Sequence, residues 1–246
     1  MSFKDHFSKQ SATYTQFRPT YPPELFTFLA EQSPNREHAL DTACGNGQAA
    51  LALAAYFQKV TAADASENQI NHAQPHPKVT YVIAPAEACG LPDHSVDLLT
   101  VAQAIHWFDF DRFYAEAKRV LKPGGLLAVM GYALFSIKPE VDAVIDKLYG
   151  PMLDEFWPPE RKWIEEKYQT LPFPFEDIDH PQFHINASWT AQHVLGYLKS
   201  WSAVVRYTDH HGNNPVDAIT PEFIEAWGDK ETLEAKWPII MRLGRV

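Results

Sequence analysis

A turn with two glycines separates an apolar run from an amphipathic run near the start of the chain. Residues 39–50 are ALDTACGNGQAA, in which Gly45, Gly47 and Ala50 satisfy the spacing G-x-G-x-x-G/A. Glycines in such a turn let the backbone bend sharply and let a ligand approach the N-terminus of the following helix. The spacing is common, so by itself it indicates a ligand-binding turn and no particular ligand.

Two acidic residues narrow the choice of ligand. Asp64 follows Gly47 by 17 residues, at the end of the next apolar run, where a carboxylate can accept hydrogen bonds from both hydroxyls of a ribose. Asp41 precedes Gly45 by four residues, and its charge repels a pyrophosphate but attracts an ammonium group. S-adenosylmethionine has adenine, ribose and an ammonium group without a phosphate, so it suits both acids. A turn-capping role is the alternative for Asp41.

The elements that position these residues alternate between strand and helix. The pattern predicts strands over 39–43, 60–63, 79–84, 96–102 and 126–130, and helices over 48–57 and 109–121. Ser66, with Gln69 three residues later, has the spacing of a capping box at a further helix start. Such alternation predicts an α/β fold, a doubly wound and mostly parallel sheet.

The pattern loosens after Gly131. Residues 150–182 are rich in proline and aromatic residues, which excludes one long helix. We interpret this segment as an inserted helical cap of short helices and loops, which either adds to the core or acts as a substrate lid. A strand over 183–189, a helix over 191–201 and a last strand over 237–243 follow.

Composition excludes several classes of protein. The 246 residues are 46% hydrophobic and 13% aromatic, which is enough for a full core. The net charge of −10 gives no general attraction for nucleic acid or an anionic membrane. Two cysteines cannot form a disulfide framework, and residues 1–10 have no apolar segment typical of a secretory signal. We expect a soluble, cytoplasmic protein with no nucleic-acid or membrane partner; the oligomeric state stays open.

The segment DTACGNG, residues 41–47, resembles the D-x-[GA]-x-G-x-G motif of class I S-adenosylmethionine-dependent methyltransferases, with Ala43 where many members have glycine. Four further segments match that family in order over about residues 35–132: 62–66, 84–87, 91–98 and 121–125. The resemblance implies a Rossmann-like methyltransferase fold with seven strands, the last one antiparallel, and S-adenosylmethionine as cofactor. It also implies an N-terminal segment (1–34) that covers the cofactor site, a cofactor-binding core (35–134), a helical cap (135–182) and a C-terminal part of the core (183–246).

The resemblance further implies which residues bind the cofactor. The turn at Ala43, Gly45 and Gly47, together with Asp41, would hold the methionine end. Asp64 would hold the ribose, and the other residues expected around the cofactor are Tyr14, Arg18, Ala65, Ala86, Glu87 and Gln103. Arg18 is also a candidate partner for a carboxylate of the cofactor or the substrate, since a guanidinium matches a carboxylate as a bidentate fork. An ordinary surface arginine is the alternative.

A narrower resemblance, to the trans-aconitate-methyltransferase-like group, rests on residues 14–22, 105–108, 200–203 and 237–238. It implies a small-molecule methyl acceptor, with carboxylic acids among the candidates, and a substrate pocket at His106, Trp107, Phe108 and Tyr132. His106 is a candidate general base or hydrogen-bond partner, or else a structural histidine packed against Trp107. Trp107 and Phe108 either shape an apolar pocket or belong to the core.

Two other functions remain open from the sequence. A nicotinamide-dependent oxidoreductase shares the glycine turn and the ribose acid, but it leaves Asp41 unexplained. A non-catalytic protein that binds the cofactor and a partner is the second alternative. We expect no metal site, because the adjacent histidines His210 and His211 rarely converge on one ion and the chain has no paired C-x-x-C motif.

Overall fold

The computed structural model describes residues 18–246, so the expectation for Tyr14 lies outside the described residues. The strands are β1 (His38–Thr42), β2 (Lys59–Asp64), β3 (Val79–Ile83), β4 (Val96–Ala102), β5 (Leu121–Tyr132), β6 (Glu176–Asp177), β7 (His184–Trp189) and β8 (Leu233–Arg245). The helices are α1 (Pro23–Gln32), α2 (Gln48–Leu53), α3 (Glu67–Asn71), α4 (Phe110–Val120), α5 (Pro139–Lys147), α6 (Lys162–Glu165), α7 (Ala191–Lys199), α8 (Ser202–His211) and α9 (Pro215–Trp227). Short helical turns lie at Ile105–Trp107, Leu148–Met152, Asp154–Phe156 and Pro159–Arg161.

The strands form one mixed sheet in the order β3-β2-β1-β4-β5-β8-β6, with β7 also paired to β8. Strands β1 to β5 are parallel, and β8 runs antiparallel to β5. Both β6 and β7 pair with the edge of β8 away from β5, at opposite ends of that long strand. The doubly wound α/β prediction is confirmed. The sheet has eight strands where the resemblance implies seven, because the two-residue β6 pairs with β8 in addition to β7.

The strand order reverses between β1 and β4, and open α/β sheets bind ligands at such a switch point. Strands β1 and β4 are buried along almost their whole length, and β4 is mostly apolar as such a strand requires, whereas β1 also buries His38, Asp41 and Thr42. Helix α4 covers the sheet with Phe113, Ala117 and Val120, and Asp109 caps it by accepting a hydrogen bond from the Arg112 amide. The Ser66 hydroxyl caps α3 through the Gln69 amide, as predicted.

Several boundaries differ from the predicted ones. Helix α2 ends at Leu53, before residue 57, and β8 begins at Leu233, before residue 237. The pattern did not predict α1, α5, α8 or α9. Helix α9 has Pro221 in its interior, where a proline lacks the amide needed for the helical hydrogen bond.

The inserted segment contributes to the core. Val141, Val144 and Ile145 of α5 are buried in one apolar cluster, and Tyr168 and Leu171 are buried in the other. The prediction of short helices and turns is confirmed, and these side chains show the core role for part of the segment. Its role as a lid stays a prediction.

The glycine turn generates a stability prediction. Gly47 has φ +85°, and a Cβ built there would lie 2.4 Å from the Tyr81 hydroxyl oxygen. We expect Gly47→Ala to lower the free energy of unfolding by about 2–4 kcal/mol, because it adds overpacking to the strain of a left-handed residue. The control Gly212→Ala, at φ +75° with no atom of residues 18–246 within 4 Å of the added Cβ, should lose only about 1 kcal/mol. Urea denaturation measures both, and equal losses would contradict the packing argument.

Candidate active site

The turn after β1 lies at the carboxyl edge of the sheet in left-handed backbone. Ala43, Gly45 and Gly47 have φ of +53°, +56° and +85°. The Cys44 amide donates to the Ala63 carbonyl at 3.0 Å, which ties the turn to the end of β2. Among residues 18–246, a Cβ at Gly45 would meet only the Gln69 Oε1, at 3.9 Å, so that part of the chain leaves the outer face of the turn open at Gly45. A ligand can therefore approach the backbone at Gly45, while Gly47 serves the packing against β3.

Asp64 holds the turn and the loop after β2 together. Its Oδ2 accepts from the Gly45 amide and its Oδ1 accepts from the Ser66 amide, both at 2.8 Å. The residue is 9% exposed. Each carboxylate oxygen has two acceptor sites, so a carboxylate at this position can accept from a ribose hydroxyl as well as from an amide. The sequence predicted the acid but not its structural role in fixing the turn.

Asp41 is almost completely buried beneath the turn. Its Oδ1 accepts from the Thr100 hydroxyl at 2.8 Å, whereas its Oδ2 has no hydrogen-bond partner within residues 18–246. Burial raises the pKa of Asp41 to about 7 and the Asp64 charge acts in the same direction, while the Thr100 hydroxyl and the Ala50 amide oppose the shift. A buried carboxyl oxygen without a partner is costly, and a cationic group in the site would stabilise its charged form.

The residues at this edge fit S-adenosylmethionine. The open turn, the ribose acid and the buried carboxyl oxygen of Asp41 match its amino-acid and ribose parts. Ala86 is buried and Ala65 is half-buried, as small residues beside an adenine would be. Glu87 Oε1 accepts from the Asp109 amide at 3.1 Å, so the carboxylate also stabilises the start of α4. Its position beside the adenine stays a prediction.

A small cavity of about 70 Å³ lies next to the ends of β4 and β5. It brings together three predicted residues, Arg18, Gln103 and Tyr132. An Arg18 guanidinium nitrogen donates to the Tyr132 hydroxyl at 3.2 Å, and burial raises the pKa of Tyr132 to about 12. The sequence missed the other side of this cavity, which consists of Ala133, Leu134, Trp157, Arg161, Tyr197, Trp201 and Ser202. The segment 200–203 was a signal for part of that wall, but none pointed to Arg161.

The other predicted pocket residues lie on the loop after β4. His106 is half-buried on the turn Ile105–Trp107, and its ring centroid is 4.9 Å from that of Trp107. Its Nδ1 is buried without a partner in the described part of the chain, and burial together with the Arg161 charge lowers the pKa of His106 to about 4. The Phe108 ring packs 4.9 Å from that of Phe113, in the core beneath α4. None of the three loop residues lines the small cavity.

Residues 18–246 contain neither a cluster of metal-ligating side chains nor a membrane-spanning helix. No group of three or more His, Cys, Asp or Glu side chains there is arranged to bind a metal ion. None of the helices in that range has the length and apolar character that a membrane crossing requires.

Comparison with known proteins identifies the family. A methyltransferase-domain family model matches residues 40–129. A Dictyostelium discoideum protein named as a methyltransferase is 34% identical over 99% of this chain and 95% of its own length. The structure of a protein named as a type II methyltransferase, from Anaeromyxobacter dehalogenans, superposes with a TM-score of 0.89 at 49% identity, covering 93% of this chain and 98% of that one.

A Saccharomyces cerevisiae protein named as an S-adenosylmethionine-dependent methyltransferase is 29% identical over 53% of this chain and 47% of its own length. The cofactor expected from the sequence is therefore confirmed as S-adenosylmethionine, and the alternative of a nicotinamide-dependent oxidoreductase is wrong. The chain belongs to the class I S-adenosylmethionine-dependent methyltransferases.

Proposed function

We propose that the enzyme methylates a small organic acid, as a member of the trans-aconitate-methyltransferase-like group. The observation behind this proposal is the cavity beside Gln103. Arg18 and Arg161 line it, and no Asp or Glu side chain does so among the described residues. A site with two guanidinium groups and no acid favours an anionic acceptor. Its small volume and aromatic wall favour a small molecule over a macromolecule.

Different residues at the carboxyl edge of the sheet bind different parts of the cofactor. Asp64 accepts from the ribose hydroxyls while it keeps the turn in place, and ionised Asp41 attracts the ammonium group. The backbone at Gly45 permits close approach of the methionine end. When bound, the cofactor supplies a methyl group on a positively charged sulfur, which an acceptor oxygen takes by displacement.

A carboxylate acceptor needs no general base, because it is already ionised at pH 7. The protein must then align the acceptor and exclude water, and alignment can supply on the order of 7–11 kcal/mol of the barrier. His106 is neutral at pH 7 and a weak proton acceptor, since its pKa is lowered to about 4. We assign it a hydrogen-bonding role toward the acceptor, made by a buried imidazole nitrogen that has no partner within residues 18–246.

A screen with methyl-labelled cofactor tests the proposed function. We expect labelled methyl esters from at least one small carboxylic acid and no product from the matching amide. His106→Ala should lower turnover on that acid by less than about tenfold, against the 10²–10⁴-fold expected for loss of a base. Methylation confined to amines or phenols would contradict the proposal.

Replacement of the ribose acid should weaken cofactor binding. We expect Asp64→Ala to raise the dissociation constant of S-adenosylmethionine at least tenfold in calorimetry, because it removes the acceptor for the ribose hydroxyls and loosens the Gly45 turn. Asp209→Ala, which removes an exposed acid on α8, is the matched control and should leave the constant unchanged. Unchanged affinity in Asp64→Ala would remove this residue from the site.

Cofactor binding should depend on pH near neutrality. The pKa of Asp41 is raised to about 7 in the protein, so the carboxyl is increasingly protonated as the pH falls below 7. A bound ammonium favours the ionised form, so binding releases protons and affinity should fall about fivefold from pH 7.5 to pH 6. Calorimetry in buffers of different ionisation enthalpy measures both effects. Asp41→Asn should bind more weakly without this pH dependence; an equally steep dependence in the variant would assign it to another group.

A further inference from the structure

Arg161 is held in a fixed orientation by the inserted segment. Its Nε donates to the Tyr149 hydroxyl at 3.0 Å, and its guanidinium carbon lies 4.4 Å from the centre of the Trp157 ring. The Tyr149 hydroxyl in turn donates to Glu165 at 2.8 Å, and the Trp157 indole donates to the Tyr149 carbonyl at 2.9 Å. Stacking and one hydrogen bond therefore orient the planar group before any ligand arrives.

The binding capacity of this guanidinium is mostly unused. Arg161 forms no ion pair with a described residue, and its two terminal nitrogens have no hydrogen-bond partner there. The side chain is half-buried and lines the cavity beside Gln103. A cation in a partly dry, aromatic enclosure is costly unless an anion neutralises it.

Arg18, the other guanidinium at this cavity, is placed differently. It donates to the Tyr132 hydroxyl at 3.2 Å, and its guanidinium carbon lies 5.5 Å from the centre of the Tyr197 ring. These contacts join the start of the described chain to β5 and α7. Arg18 thus has a role in closing the wall of the cavity, whereas Arg161 presents free donors to it.

We infer that Arg161 binds the anionic group of the methyl acceptor, and that the inserted segment thereby sets acceptor specificity. This inference rests on the proposed function for the identity of that group as a carboxylate. The two terminal nitrogens match the two oxygens of a carboxylate as a bidentate pair. Trp157 and Trp201, whose ring centroids are 5.6 Å apart, form an apolar wall beside it. The ligand class is an acid with an apolar or aromatic body.

The arrangement also serves the chemistry of a cationic methyl donor. A second cation close to the sulfonium raises the energy of the site, and an anion bound between the two lowers it. The field of Arg161 reaches the loop after β4, because it contributes to the lowered pKa of His106. The acceptor anion would therefore lie between the inserted segment and the sheet edge.

Equilibrium binding of acids tests this inference without turnover. The probes are benzoate, cinnamate and adipate, with benzamide as the neutral match, each titrated into the enzyme saturated with S-adenosylhomocysteine. We expect the acids with a ring to bind, and Arg161→Gln to weaken the best of them at least tenfold. Arg161→Lys, which keeps the charge but not the fork, should recover part of the loss. Arg112→Gln, which removes an exposed charge on α4 outside the cavity, should have no effect.

Two controls keep structural damage apart from lost recognition. Binding of S-adenosylhomocysteine and of benzamide should be the same in Arg161→Gln as in the unmodified enzyme. Equal weakening of benzamide and benzoate would overturn the inference, because charge would then not be recognised. Unchanged acid binding in Arg161→Gln, or no acid bound by the unmodified enzyme, would overturn it too.

The outcome also separates this inference from the proposed function. If acids bind through Arg161 but no methyl ester forms, the anion site stands and the assignment of the acid as acceptor fails. If esters form and Arg161→Gln leaves the Michaelis constant for the acid unchanged, the proposed function stands and the role of Arg161 fails.

Discussion

The carboxylate of Asp64 is the constraint on which the cofactor site depends. It accepts amides from Gly45 on one side and Ser66 on the other, so one buried side chain sets the distance between the loops after β1 and β2. A turn of left-handed residues has no regular hydrogen-bond ladder of its own and needs such an external tie. In the proposed role, the same carboxylate accepts from the ribose hydroxyls, so ligand binding and the order of the turn are coupled at this position.

The two halves of the site have opposite charge. Asp41 and Asp64 lie beneath the turn, and their mutual repulsion contributes to the raised pKa of Asp41. Arg18 and Arg161 lie at the cavity beyond Gln103. A ligand pair with cationic groups toward the turn and an anionic group toward the cavity neutralises both sides, whereas the reverse arrangement is repelled on both sides. In the proposed function, this distribution of charge favours one orientation of cofactor and acceptor in the site.

Local patterns predicted the parts of the site that consecutive residues build. The glycine turn, Asp64 at the end of β2 and the Ser66 cap follow from short-range chemistry, and each lies where the sequence placed it. The wall of the cavity at Arg161 and Tyr197 depends on how segments distant in sequence pack together. A periodic pattern in the local sequence does not predict such packing. The same limit explains α9, where packing of Val216, Ile219 and Phe223 into the core overrides the break that proline indicates.

The residues proposed to bind the cofactor and those proposed to bind the acceptor lie in different parts of the chain. The family model covers residues 40–129, which contain both acids and the glycine turn, whereas Arg161 and its supporting aromatic side chains lie beyond that range. Residues at the ends of the strands are held in place by the backbone hydrogen bonds of the sheet. They therefore suit the cofactor, which is the same in every turnover. The inserted segment is fixed by a few side-chain contacts, such as those of Tyr149 with Glu165 and Arg161. Its sequence can therefore change while the geometry of the cofactor site stays intact, and with Arg161 in the inferred role such changes would alter which acceptor is bound.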